Sequence, residues 1–253
     1  MYNKMHNKMY STIIISALLN LMLPNLVLAQ GLERAENLIA SAKQELLRND
    51  VSSLQQDVYT IIYENNVAVQ ELNVYQIFDY SQQRMLQRML MPQMGGEVSL
   101  IYQDGEITMS MMGLKLPAPP EMTQGFTGAF DSSLVQGKGG IPDNYEILSY
   151  DGEQSYGSLI AEQVSISFTN SSGSPVKAKL LFSSEGHLVG NFVESSPNNG
   201  ILVVYEDIQA QDGFPLSMTI ATYNLDEVRA TLLARTVLSN IKVNAEIDAS
   251  LFE

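Results

Sequence analysis

The stretch Val98-Ser-Leu-Ile-Tyr-Gln-Asp-Gly-Glu-Ile-Thr-Met-Ser-Met111 decides the fold. Asp104-Gly105 is a favoured pair for a type I′ turn, which needs positive φ at both central residues and matches the twist of a tight hairpin. With that pair at the turn, Gln103 faces Glu106, Tyr102 faces Ile107, Leu100 faces Met109 and Val98 faces Met111. Side chains alternate along a strand, so Val98, Leu100, Tyr102, Ile107, Met109 and Met111 share one apolar face. Ser99, Ile101, Gln103, Glu106, Thr108 and Ser110 share the other. Turn chemistry and alternation agree on an antiparallel pair with one side turned to a core.

Outward from this hairpin the same period recurs. Val58–Tyr63 and Val67–Tyr80 have the β-branched and aromatic content of strands. Arg84–Met91 sets Met85, Met89 and Met91 against Arg84 and Arg88, and reads as a strand or a short helix. Beyond Pro142 come strand candidates at Tyr145–Tyr150, Leu159–Thr169, Val176–Ser183, His187–Glu194, Ile201–Asp207 and Pro215–Tyr223. Short breaks rich in Gly, Asn, Ser and Asp separate them, which predicts a meander. Asp226–Ser239 suits either period, and intrinsic propensity favours helix there.

Two segments depart from the strand rhythm. Over Gly31–Arg48, Leu32, Ala35, Leu38, Ile39, Ala42 and Leu46 recur at helical spacing, with charged residues on the other side. Gly113–Gly140 carries Pro117, Pro119, Pro120 and six glycines, yet also Leu114, Leu116, Met122, Phe126, Phe130 and Leu134. That mixture predicts a long connection, either a movable cover or partner-binding loop that docks through its apolar anchors, or a fixed packed surface loop, rather than a strand pair. The fold class is therefore mainly β with α: a single large curved antiparallel sheet with a helix laid across it.

Residues 1–29 predict where the chain works. Lys4 and Lys8 precede an apolar run from Ile13 to Leu28, and Val27-Leu28-Ala29 supplies a small residue before Gln30. That order is a secretory signal peptide. A retained anchor is the alternative, but Asn20, Pro24 and Asn25 interrupt a run that would need about 20 apolar residues. Residues 30–253 then form one domain. There is no cysteine, so no disulfide braces the domain and Gln30 cannot carry lipid; the mature chain is expected to be soluble in the periplasm. The formal net charge of −14 disfavours nucleic acid and anionic membrane surfaces as partners.

Catalytic, metal and cofactor chemistry find little footing. His187, the one histidine past the signal, lies in a Glu185-Gly-His turn where a surface residue is expected. The chain has no nucleophile elbow, phosphate loop or calcium loop, and Glu206-Asp207 should point to opposite faces of a strand. No catalytic residue, metal ligand or cofactor is predicted. Methionines are more informative: Met85, Met89, Met91, Met94, Met109, Met111 and Met112 crowd into 28 residues. They suit ordinary core packing, and equally the adaptable lining of a cavity.

The order of the motifs brings in a resemblance. A helix follows the signal, the Tyr102-Gln-Asp-Gly105 hairpin precedes a Pro-rich segment, and Glu153-Gln-Ser-Tyr-Gly157 leads into Val164-Ser-Ile-Ser-Phe168. Tyr205-Glu-Asp207 precedes Gly213-Phe-Pro-Leu216, and the chain closes through Val243-Asn244, Ile247-Asp248 and Leu251-Phe252. Over the whole mature chain this resembles the outer-membrane lipoprotein carrier and sorting family, with the LolA/LolB-like fold. The resemblance implies an incomplete β-barrel covered by helices, which holds acyl chains of lipoproteins or lipids and exchanges them with membrane-bound donor and receptor proteins. It implies no catalysis. An envelope sensor or interaction module on the same fold is the alternative. The expected cavity residues are Val98, Leu100, Tyr102, Ile107, Met109, Met111, Phe168 and Phe182.

Overall fold

A computed structural model describes residues 31–44, 51–91, 96–111, 114–117, 141, 144–169, 173–196, 199–211, 214–226 and 229–252. A helix, α1 (31–44), opens it. The strands are β1 (Ser53–Glu64), β2 (Val67–Asp79), β3 (Arg84–Met91), β4 (Gly96–Gln103), β5 (Glu106–Met111) and β6 (Leu114–Pro117). They continue as β7 (Tyr145–Tyr156), β8 (Leu159–Thr169), β9 (Pro175–Phe182), β10 (Leu188–Ser196), β11 (Asn199–Gln211), β12 (Phe214–Leu225) and β13 (Ala230–Val243), before a 3-10 turn at Ala249–Phe252.

All 13 strands join one antiparallel sheet in the order β6-β5-β4-β3-β2-β1-β13-β12-β11-β10-β9-β8-β7. The sheet does not close on itself: it is an incomplete barrel with β6 and β7 at its edges. Every neighbour follows in sequence except β1 and β13, the first and last strands, which pair in the middle. The β4–β5 hairpin has the register read from its sequence, with Tyr102 opposite Ile107, Leu100 opposite Met109 and Val98 opposite Met111. Asp104 at φ 55 and Gly105 at φ 81 supply the turn it requires. Gly190 is needed for another reason: a Cβ there would lie 2.5 Å from the Val203 carbonyl oxygen on β11.

Two expectations are corrected. Asp226–Ser239, for which propensity favours helix, contributes to β13 instead. Its backbone pairs with β1 on one side and β12 on the other, and that double ladder outweighs a propensity difference of a few tenths of a kcal/mol per residue. Within Gly113–Gly140, Leu114–Pro117 is a strand that extends the sheet beside β5. A proline is tolerated there because β6 is an edge and Pro117 its last residue. Residues 118–140, with the expected cover, lie outside the described residues, as do 45–48 of the expected helix. Arg84–Met91, open between strand and helix, is a strand.

Alternation and register give the sheet two unlike faces. On one, α1 packs Ala35, Leu38, Ile39 and Ala42 against Val164, Ile166, Leu180 and Phe182 of β8–β9, all at most 2% exposed. Among the described residues of the stripe, Leu32, at 42% exposed, does not join them. Farther along that face a second cluster joins Leu54, Phe78, Met85, Leu100, Ile107, Leu216 and Val243. The opposite face has its own clusters: Leu181, Phe192 and Leu202 at one end, and Ile77 and Leu86 beneath Phe252 at the other.

Candidate functional site

The helix-bearing face is the candidate site, and its chemistry follows from which residues alternation turns onto it. The strand lysines and arginines, Arg84, Arg88, Lys115, Lys177, Lys179, Arg235 and Lys242, all fall on the opposite face. On β2–β6, β9, β10, β12 and β13 the described residues of the helix-bearing face include no charged side chain. Two neutral polar pairs lie on it: Gln56 Nε2 donates to Gln76 Oε1 at 2.8 Å, and the Thr60 and Thr236 hydroxyls bond at 2.9 Å. These pairs shed water cheaply, because they keep their hydrogen bonds when water leaves.

Six of the expected cavity residues come together. Val98, Leu100 and Ile107 are 5–7% exposed, and Tyr102, Met109 and Met111 are half-buried around them. Leu100 and Ile107 belong to the cluster with Met85 and Phe78, against which Tyr102 and Met109 also pack. Phe168 and Phe182 share the face but not the cluster. Phe182 is fully buried under α1, with Phe168 half-buried beside it. Between the two clusters run the half-buried side chains of Val58, Thr60, Ile62, Leu72, Val74, Ile220 and Thr236. Sequence reading missed this central strip, although its period-two alternation in β1, β2 and β12 is the signal that would have found it.

A polar clamp holds the helix to its end of the sheet. Arg34 Nε and Nη2 donate to the two carboxylate oxygens of Glu162 at 2.9 and 2.6 Å, and the Tyr150 hydroxyl donates to the same carboxylate at 2.7 Å. The Arg34 hydrogen bonds, aided by Tyr150 and outweighing burial, hold the Glu162 carboxyl below its ordinary value. Another cluster lies on the opposite face. Burial pushes the Asp151 carboxyl up, but donors from Ser149, Ser165 and Gln163 at 2.5–2.6 Å prevail and hold it low. Burial also pushes the Tyr156 hydroxyl up to about 12.

Other features fit ligand chemistry less well. A groove of about 470 Å³ on the opposite face is lined by Asp57, Tyr59, Tyr75, Arg88, Leu90 and Glu97, too charged for a hydrocarbon chain. His187 sits half-buried in its turn, with Nε2 3.6 Å from Glu185 Oε2. Glu206 pairs with Arg235 at 3.0 Å on the opposite face, while Asp207 beside it is exposed with φ 53. No group of three metal-binding side chains occurs among the described residues. No helix among them is long and apolar enough to cross a membrane.

Comparison with solved structures places this architecture. A LolA superfamily protein from Nitrosomonas europaea superposes with a TM-score of 0.56 over 87% of this chain and 97% of its own, at 13% identity. The chain has a LolA-like fold. A DUF1329 family protein from Desulfovibrio piger gives 0.56 over 87% and 96% of the two chains at 9% identity. A domain from Vibrio parahaemolyticus, named for outer membrane lipoprotein sorting, gives 0.52 over 88% and 96% at 10% identity. No family model and no curated protein matches the sequence. The LolA-like architecture of this chain therefore rests on shape alone, at identities where the fold is common and side chains are not.

Proposed function

We propose that this protein is a soluble periplasmic carrier or chaperone that binds acyl chains of lipoproteins or lipids on the helix-bearing face. The observation that carries the reading is the segregation of charge: that face is apolar or neutral from β2 to β6, while lysine and arginine crowd the other. Burying ten methylenes of an acyl chain is worth roughly 8 kcal/mol. A protein that moves such a chain through water must cover it with a surface of this kind. In the proposed complex Val98, Leu100 and Ile107 form a floor, and Tyr102, Met109, Met111 and Phe168, which keep accessible surface, touch the ligand. Phe182 supports the helix that borders it. Residues 1–29 act as the export signal, with cleavage near Ala29, and the chain performs no catalysis.

Native mass spectrometry of the protein purified from envelope extracts tests this. Adducts of lipid mass that disappear on denaturation are expected. Protein that is ligand-free under native conditions, and stays so after incubation with diacylglycerol, would overturn the carrier reading in favour of an interaction module.

A further inference from the structure

One pair of polar side chains on the helix-bearing face has hydrogen-bonding capacity left over. Asn191 on β10 donates from Nδ2 to the hydroxyl oxygen of Tyr205 on β11 at 2.9 Å. That contact uses the oxygen as acceptor. The Tyr205 O–H and the Asn191 Oδ1 have no hydrogen-bond partner among the described residues.

The surroundings define what could complete the pair. Asn191 lies between Leu180 on β9 and Val203 on β11, and Tyr205 lies opposite Ile220 on β12. Leu180 is fully buried beneath α1, so the pair borders the helix-packed cluster. Burial pushes the Tyr205 hydroxyl up to about 12, and it remains a neutral donor throughout the physiological range. Among the described residues no strand lysine or arginine shares this face, and the helix cations above it, Arg34 and Lys43, are held at Glu162 on β8 and over the Tyr145 ring on β7. Asp207, two residues on, is exposed and accepts from Gln209 at 3.0 Å. A carboxylate or phosphate would have to give up its hydration here with no cation to replace it, which is costly. An uncharged carbonyl would lose little and would satisfy a donor otherwise left unpaired. From β11, the half-buried strip through Ile220, Val58 and Val74 leads toward Met89 on β3. At about 4.8 Å per strand that is roughly 24 Å of neutral surface, room for an extended acyl chain.

We propose that Tyr205 and Asn191 form a recognition subsite for the ester carbonyl of an acylated ligand, whose hydrocarbon chain lies along this strip. The proposal rests on the carrier reading and adds to it: the face selects neutral acyl esters rather than any hydrocarbon chain.

The test compares dipalmitoylglycerol with its diether analogue, dihexadecylglycerol, which has the same chains and no carbonyl, as competitors of a bound pyrene-labelled hydrocarbon. The purified protein should favour the diester by about fivefold, the worth of one net hydrogen bond. Tyr205→Phe should erase that preference while leaving diether affinity unchanged, and Asn191→Ala, which frees the hydroxyl to turn away, should reduce it. Thermal melts confirm that the variants are folded. Equal affinity for the two lipids in the unmodified protein, or a preference that survives Tyr205→Phe, overturns the subsite but leaves the carrier reading standing. Failure to bind the pyrene probe or either lipid removes both.

Discussion

At the scale of single residues, the hairpin face divides by depth. Leu100 is 6% exposed in a cluster of nine buried residues, whereas Met111, opposite Val98, keeps accessible surface and belongs to no buried cluster. Leu100→Ala should therefore cost about 3 kcal/mol of stability, as removal of a buried leucine side chain does, and urea unfolding measures it. Met111→Asp should leave the protein folded by circular dichroism while reducing lipid co-purification, because its carboxylate can stay hydrated but a chain laid across it cannot. A Met111→Asp protein that keeps its full lipid complement would take Met111 out of the ligand's path. The residue-level reading of the sequence succeeded here because turn and alternation are both local: Asp104-Gly105 fixes register, and register fixes the face. It failed to join Phe168 and Phe182 to that hairpin's cluster, since which cluster a shared face feeds depends on where α1 lies, a long-range fact that alternation does not carry.

At the scale of elements, α1 and the 3-10 turn cap opposite faces by different means. The helix adds the Arg34–Glu162–Tyr150 clamp to its apolar contacts. Because the Glu162 pKa is lowered from its ordinary 4.5, the stability that the clamp gives is fully present above that value and is lost as pH falls through the lower, folded value. Arg34 is 44% exposed, so the contribution is that of a screened pair, about 1 kcal/mol or less. Glu162→Gln should be less stable than the unmodified protein at pH 7, with the gap closing in urea melts below about pH 4. A gap independent of pH would mean that the lost carboxylate acts through packing alone. The 3-10 turn instead lowers Phe252 onto Ile77 and Leu86, with the Arg84 guanidinium 4.2 Å over its ring. Phe252→Ala should cost about 3 kcal/mol and expose that end of the opposite face, visible as faster amide exchange in β2 and β3. Strand β13 shows why elements were only partly legible. Ala230–Val243 contains Leu232, Leu233, Ala234 and Arg235, good helix formers, and no local signal reveals that β1 and β12 flank a vacant place in the sheet.

At the scale of the whole molecule, the distribution of charge would govern how the proposed carrier meets a membrane. The chain carries 28 acidic against 14 basic residues, and loss of residues 1–29 would remove two of the basic ones, Lys4 and Lys8. The strand lysines and arginines lie on the face away from α1 and several are already engaged: Arg84 with Asp79 at 2.8 Å, Lys179 with Glu194 at 2.8 Å and Arg235 with Glu206 at 3.0 Å. No described surface thus offers a run of unpaired cations to an anionic bilayer, and the net charge repels one. Ligand exchange by such a protein has to be brief contact through a neutral face, or contact through a protein partner, rather than electrostatic adsorption. The prediction is that the protein does not co-sediment with phosphatidylglycerol vesicles even at about 0.01 M salt, where charge acts over roughly 30 Å. It should nevertheless extract a fluorescent diacylglycerol from those vesicles at a rate that rises as salt screens the repulsion. Stable binding at low salt that is lost at high salt would point instead to a cationic patch, and the two faces would then have exchanged roles: the charged side would do the docking, and the neutral side would wait on it.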